Sequence, residues 1–316
     1  MEYKNLGRSG LQVSAVGLGC NNFGMRCDLD QSKAVVKQAI ASGINFFDTA
    51  DIYGGRGKSE EMLGEALKGH RRDAIIATKF FAPMGEGPLW GGGSRRYIFE
   101  AVDASLRRLG TDYIDVYQMH GPDAKSPIEE TMRALDDVVR AGKVRYIGCS
   151  NFNGWQVVES QWIAHTEHLS KFVSAQNQYN LLDRRVEREL APACEKYGLG
   201  ILPYFPLASG FLTGKYRPGE KAAEGTRLAA WGARGDSMLS EPNFAMLTKL
   251  EDFAQTRGHT MIDLAIGWLA SHTFVPSVIA GATKPEQVVQ NVAAGEWKLT
   301  PDEMAEVDKI TKPRDA

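Results

Sequence analysis

Along the chain, short β-branched or aromatic runs recur, each followed by a longer segment whose apolar residues return at helical spacing. The strands this pattern predicts are "SAVGLGC", "INFFDTA", "AIIATKF", "YIDVYQMH", "VRYIGCSN", "FVSAQNQYN", "GILPYFPL" and "VPSVIAGAT". Between them lie helices such as "SKAVVKQAIASG", "SEEMLGEALKG", "RRYIFEAVDASLRRLG", "IEETMRALDDVVRAGK" and "VERELAPACEKYG". Most close on glycine at or near the C-terminal end, as helices commonly do. Near-continuous apolar strands alternating with amphipathic helices imply a parallel sheet covered by helices, and eight units are the number that closes a (β/α)8 barrel. The expected fold class is therefore α/β, a (β/α)8 TIM barrel forming a single domain over residues 1–316. A doubly wound sheet would need a dinucleotide fingerprint, but "GLGCNNFG" has the wrong glycine spacing and no clean helix start after it.

Ahead of the first barrel strand, "EYKNLGRSGLQV" reads as a β-hairpin that plugs the barrel floor, with Gly7 and Gly10 allowing the turn. Two connections are longer than such a fold requires: "FAPMGEGPLWGGGS" after the third strand and "ASGFLTGKYRPGEKAAEGTRLAAWGARGDSMLSEP" after the seventh. Long loops in a compact domain are usually functional lids or disordered, and the glycines here favour mobility. Near the end, "TPDEMAEVDKI" predicts a helix capped by Thr300, with Pro301 in its first turn.

Composition narrows the partners. With 316 residues, 43% of them hydrophobic, the chain can bury a large core. A formal net charge of -2 and the absence of a dense Lys/Arg block argue against nucleic acid or an anionic membrane as the main partner, and for a small molecule. The N-terminus lacks a basic region followed by an apolar stretch, and no apolar segment is long enough to span a bilayer, so a cytoplasmic location is expected. Cys20, Cys27, Cys149 and Cys194 have no paired spacing and indicate neither a zinc site nor a disulfide framework.

In barrels of this kind ligands bind at the C-terminal ends of the strands, so polar residues there carry the most information. Asp48 ends the second strand, Tyr53 lies just beyond it, Lys79 ends the third and His120 ends the fourth. Singly, each has a structural reading: a turn cap, a rim tyrosine, a solvated lysine, a satisfied core histidine. Jointly, a lysine and an aspartate at the mouth of an apolar barrel need each other, because either charge left unpaired there costs several kcal/mol. A nearby Lys79 ammonium should stabilise the Tyr53 phenolate and lower the phenol's pKa, Asp48 should keep Lys79 protonated, and His120 can donate to a substrate oxygen. Such a group suits protonation of an oxygen that gains negative charge, as a carbonyl does on accepting hydride. A phosphate loop does not explain the same stretch: Gly57-Lys58-Ser59 has the right ending, but Ile52 stands where the motif needs glycine.

On "FFDTADIYG", "IATKF" and "YQMHGPD" the sequence resembles the aldo-keto reductase superfamily over essentially its full length, and within it the branch with potassium-channel β-like reductases. The resemblance implies that Asp48, Tyr53, Lys79 and His120 form a catalytic tetrad with Tyr53 as general acid, in a barrel that binds extended NADPH without a Rossmann motif. It further implies that Ser150 and Asn151 of "GCSNF", with Gln176 of "QNQYN", hold the nicotinamide carboxamide, and that Tyr204 stacks on the ring. "PLASGFLTGKY" would wrap the pyrophosphate through Leu207, Ser209, Gly210, Leu212 and Lys215. "IAGATKPEQVVQN" would meet the 2′-phosphate, ribose and base through Gly281, Thr283, Lys284, Gln287 and Asn291. Lys284 stands where many relatives carry arginine and acts only as a point charge, which leaves NADH as a weaker alternative cofactor.

Phe23, Phe81 and Trp90 follow the first and third strands and are expected to line the substrate pocket, with core packing the alternative for Phe81. The expected activity is NADPH-dependent reduction of an aldehyde or ketone to an alcohol, on a small-molecule carbonyl substrate and with no metal. Two alternatives stand beside it: a Schiff-base aldolase using Lys79, opposed by its aspartate partner, and a cofactor-binding regulatory or redox-sensing subunit.

Overall fold

The computed structural model describes residues 1–311 apart from the side chain of Arg234. Its strands are β1 (Tyr3–Asn5), β2 (Gln12–Ser14), β3 (Val16–Gly19), β4 (Phe46–Asp48), β5 (Ile75–Phe80), β6 (Ile114–Met119), β7 (Val144–Ser150), β8 (Phe172–Gln178), β9 (Gly200–Tyr204) and β10 (Val278–Gly281). β1 and β2 pair as an antiparallel hairpin. The other eight form one parallel sheet in the order β10-β3-β4-β5-β6-β7-β8-β9. Among the described residues β9 and β10 share no ladder, but the Ile201 N–H donates to the Phe274 carbonyl at 2.8 Å, just ahead of β10, so the barrel is nearly closed. Each of the eight expected runs holds one of these strands, flanked by helices as a (β/α)8 barrel requires.

Local chemistry sets the helix ends. The helix Arg95–Leu109 starts where the Ser94 hydroxyl accepts from the Tyr97 N–H and stops at Gly110, whose φ of 63° is left-handed. Leu29–Ala41 begins earlier than the apolar spacing indicates, because Asp28 and Gln31 form a reciprocal capping box. "VERELAPACEKYG" divides into a 3-10 turn, Arg185–Glu187, and a helix, Leu190–Tyr197. Pro301–Thr311 is capped as expected: the Glu303 N–H donates to Thr300 Oγ1 and the Thr300 N–H to Glu303 Oε2. The long connection after β9 contains a 3-10 stretch, Ala208–Thr213, and two short helices, Arg227–Ala230 and Ala233–Met238.

Two cores result. The larger lies between the strands and the surrounding helices. The smaller fills the barrel, where Leu6 and Val13 of the hairpin segment pack on Phe46, Ala77, Val116, Leu202 and Ile279, so the hairpin does plug the floor. Fully burying a side chain such as Phe46 is worth roughly 1.5–3 kcal/mol. Because side chains alternate along a strand, the residue two positions further on points into the same interior one layer higher. That rule carries Phe46 to Asp48, Ala77 to Lys79 and Val116 to Gln118. All four cysteines are free and buried, and no described helix is long and apolar enough to cross a membrane.

Candidate active site

Asp48, Lys79 and Gln118 lie on adjacent strands; in register, Asp48 stands opposite Ala77, and Lys79 opposite Gln118. Lys79 is wholly buried, and its Nζ donates to Asp48 Oδ2 at 2.7 Å and to the Thr49 carbonyl at 2.8 Å. The other Asp48 oxygen accepts from Gln176 Nε2 at 2.7 Å and from Gln118 Nε2 at 3.3 Å. A buried pair repays its desolvation only with good geometry and further hydrogen bonds, and here both partners have them. Burial alone would pull the Lys79 ammonium's pKa down, but Asp48 and Tyr53 outweigh it and hold the value above that of an ordinary lysine. Lys79 is therefore a fixed cation.

Tyr53 follows the strand end through a tight turn in which its N–H donates to the Ala50 carbonyl. The Lys79 Nζ lies 5.0 Å from the Tyr53 ring centroid, and the Tyr53 hydroxyl lies 3.5 Å from His120 Nε2. The four expected residues from three successive strands thus meet at one place. One electrostatic expectation is corrected. Burial raises the Tyr53 pKa above the usual tyrosine value, and the opposing pull of Lys79 does not reverse it. Partial desolvation of the phenol on the cavity wall exceeds charge stabilisation by Lys79, so the phenol keeps its proton at neutral pH. Burial, and then the Lys79 charge, pull His120 down to about 3 and make it a neutral imidazole.

Above this group opens a cavity of about 460 Å³. Asp48, Tyr53 and His120 lie in its wall; so do Ser150, Asn151, Gln176, Tyr204, Leu207, Ser209, Gly210, Lys215, Gly281, Thr283 and Gln287. At one side a polar chain links the ends of four strands: Ser150 Oγ donates to the Gln176 carbonyl at 2.8 Å, Asn151 Nδ2 to the His120 carbonyl at 2.9 Å, and the Tyr204 hydroxyl to Asn151 Oδ1 at 2.8 Å. At the other side the chain passes Ala208, Ser209 and Gly210 with positive φ. Ser209 Oγ is buried with no protein partner, and a Cβ added to Gly210 would sit 3.1 Å from Lys215 Nζ. A cation above a side-chain-free backbone turn, beside an unpartnered hydroxyl, fits an anionic group such as a pyrophosphate.

Several expected positions lie elsewhere. Phe23 is wholly buried in the outer core, because the chain folds back after β3 and the Phe23 N–H donates to the Cys20 carbonyl; its assignment to the substrate pocket is corrected. Phe81 packs partly buried against that core, and Trp90 is 52% exposed at the tip of its loop; neither is in the cavity wall. Leu212 and Asn291 are buried outside the wall, and Lys284 is an exposed residue immediately before the helix Pro285–Ala294. Conversely, the site includes Gln118, Arg26 and Arg227, which no motif in the sequence marks. Gln118 was legible, since it precedes His120 by two positions on an inward-facing register. Arg227, whose guanidinium donates to Asn22 Oδ1 at 3.1 Å, comes from the long connection after β9, where no periodicity fixes a position.

Comparison with known proteins agrees with this architecture. A family model described as "Aldo/keto reductase family" matches residues 15–312. A probable voltage-gated potassium channel subunit beta of Oryza sativa subsp. japonica is 38% identical over 322 residues, covering 99% of this chain and 98% of the relative. Versiconal hemiacetal acetate reductase of Aspergillus parasiticus is 37% identical over 345 residues, with 99% and 98% covered. L-glyceraldehyde 3-phosphate reductase of Escherichia coli O157:H7 is 36% identical over 321 residues, with 98% and 92% covered. On the family match, the full-length relatives and the barrel itself, the chain belongs to the aldo/keto reductase family.

Proposed function

We propose that this protein is an NADPH-dependent carbonyl reductase that converts an aldehyde or ketone to an alcohol. The observation that carries the reading is the buried Asp48–Lys79 pair set against Tyr53 and His120 at the base of a cavity that continues to Lys215 and Gln287. When bound, the reduced nicotinamide supplies the hydride. Ser150, Asn151 and Gln176 would hold its carboxamide, Tyr204 its ring face, and Ser209, Gly210 and Lys215 its pyrophosphate. Gly281, Thr283 and Gln287, with Lys284 beside the helix N-terminus, would take the adenine end and its 2′-phosphate, NADH being the weaker alternative. The protein's own chemistry is proton management. Tyr53 holds a proton at its hydroxyl, Lys79 steadies the phenolate left after transfer, Asp48 fixes Lys79, and neutral His120 orients the carbonyl oxygen. A protonated Lys79 cannot attack a carbonyl, which argues against the aldolase reading.

The same reading takes the chain as one cytoplasmic domain acting on a small-molecule carbonyl. A second reading, a cofactor-holding regulatory subunit with slow turnover, draws support from the relatives named as potassium channel β subunits. One experiment separates the two. With NADPH deuterated at the transferable C4 position and a panel of aldehydes and ketones, the reductase reading expects deuterium on the alcohol carbon and one NADPH oxidised per carbonyl reduced, over many turnovers. A single turnover followed by slow cofactor release would favour the regulatory subunit, and no transfer at all would overturn the reductase.

A further inference from the structure

Behind the strands that carry the tetrad lies a second group of ionisable side chains that the reaction above does not use. Asp51 and Glu60 are both wholly buried. Glu60 is satisfied: Thr78 Oγ1 donates to its Oε1 at 2.5 Å and Arg108 Nε to its Oε2 at 2.6 Å. The Asp51 carboxyl makes no close hydrogen bond: the Ile52 N–H and the Tyr97 hydroxyl, which donates to the Ala82 carbonyl at 3.3 Å, lie near it, and the buried Tyr117 hydroxyl has no partner. The groups acting on Asp51 come from every element packed around it: Glu60 from the helix Lys58–Ala66, Lys79 from β5, Arg108 and Tyr97 from the helix Arg95–Leu109, and Tyr117 from β6.

The place of Asp51 in the chain gives this group its meaning. It lies two residues before Tyr53, and its backbone N–H donates to the carbonyl of Lys79 at 3.1 Å. After Tyr53 come Gly54, Gly55 and Gly57, all with positive φ, so the chain there offers little stiffness of its own. What fixes the turn is therefore the buried chemistry on either side of it. Before Tyr53 that is the Asp51 N–H on the Lys79 carbonyl, with the Asp51 carboxyl buried beside Glu60 and Arg108. After it come Ser59, whose Oγ donates to the Cys20 carbonyl at 2.8 Å, and Glu60 on Arg108. Arg108 also packs on Gly57, where an added Cβ would meet its Cδ at 2.5 Å.

We propose that Asp51 is a positioning residue for Tyr53: a buried acid two residues before the phenol and beside the Glu60–Arg108 pair, whose charge state sets how firmly the turn aims the phenol. One arginine faces two buried acids, and its guanidinium bonds Glu60, so a charge on Asp51 would lack an ion-pair partner of its own and would face Glu60. Burial, and then the Glu60 charge, lift Asp51 to about 8, only partly offset by Arg108. At neutral pH the acid is therefore mostly protonated, and mild alkali puts a second negative charge under the tyrosine turn.

This inference rests on the reductase reading, because Tyr53 matters to turnover only as proton donor. The test compares kcat and KM from pH 6 to pH 9.5 for the wild type and Asp51→Asn, with NADPH and a benzaldehyde as the probe substrate. The wild-type kcat should fall severalfold with a midpoint near pH 8 while KM for NADPH holds. Asp51→Asn, neutral at every pH, should match the wild type near pH 6 and lose the alkaline fall. An alkaline fall unchanged in Asp51→Asn, or a kcat at pH 6 lowered tenfold or more in that variant, overturns the proposal. Infrared spectroscopy of the wild type needs no variant: a protonated buried carboxyl band at pH 6 that disappears by pH 9.5 is expected, and its absence at pH 6 overturns the proposal. Wild-type protein that reduces no carbonyl compound would sink the reductase reading instead, and the infrared band would still decide whether Asp51 is protonated.

Discussion

At the floor of the barrel Phe46, Ala77 and Val116 meet Leu6 and Val13 of the hairpin segment; two residues along the same strands, Asp48, Lys79 and Gln118 meet one another. The backbone is the same in both layers, and the register that aims the apolar triplet inward aims the polar one inward too. Energetically the layers are opposites. Burial at the floor is favourable residue by residue, whereas at the mouth a charge is tolerable only because its partner is 2.7 Å away and two amides cover the remaining oxygen. Stability is therefore distributed at the floor and conditional at the mouth, which is where chemistry needs charges that water does not screen.

Substitutions that break one layer should leave a signature different from those that break the other. Lys79→Met should have the largest effect. It leaves Asp48 buried without its cation, so unfolding in urea should show a loss of about 3–5 kcal/mol, and turnover should fall by about 10²–10⁴ as proton transfer fails. Phe46→Ala should cost a similar ~3–5 kcal/mol by opening a cavity, yet turnover per folded molecule should be unchanged. A loss of turnover in Phe46→Ala as deep as that in Lys79→Met would erase the distinction between the layers.

The pH profile gives the smallest expected effect and sharpens the comparison. His120 titrates in the fold at about 3, against an ordinary 6.5, so kcat should show no acid limb near pH 6.5. By linkage the stability owed to its neutral form is present above about 6.5 and is lost as pH falls toward 3. Asp51 has the opposite sign. Its raised value makes a contribution that is full below the ordinary carboxylate pKa and is lost as pH rises through about 8. Thermal unfolding across pH 4–9 should therefore show Asp51→Asn gaining stability over the wild type as pH rises. A gain that shrinks instead would mean Asp51 is ionised in the fold.

Much of this was legible in the sequence because the barrel repeats one rule. Eight apolar runs gave eight strands, and polar residues breaking those runs at the C-terminal end, Asp48, Lys79 and His120, converge in space. Gln118 obeys the same rule and could have been read from its spacing to His120. Where the chain leaves the strands the rule stops working. Phe23 and Trp90 both follow a strand, yet one turns into the core and the other out to solvent. In the Trp90 loop the turn is set by Asp123, which accepts from the Gly93 N–H at 2.7 Å, and by the Met84 N–H on the Trp90 carbonyl. Tertiary bonds of that kind leave no periodic trace. The raised Tyr53 pKa is hidden from the sequence for a related reason: a sequence shows which charges are near but not how much hydration the phenol loses.

The central claim is that Tyr53 gives its proton to a carbonyl oxygen beside a bound nicotinamide. It is tested most directly by Tyr53→Phe, with NADPH affinity and turnover measured on the same preparation. Affinity should hold, since the ring remains, while turnover falls by about 10²–10⁴. Turnover equal to that of the wild type, with affinity intact, would contradict the account.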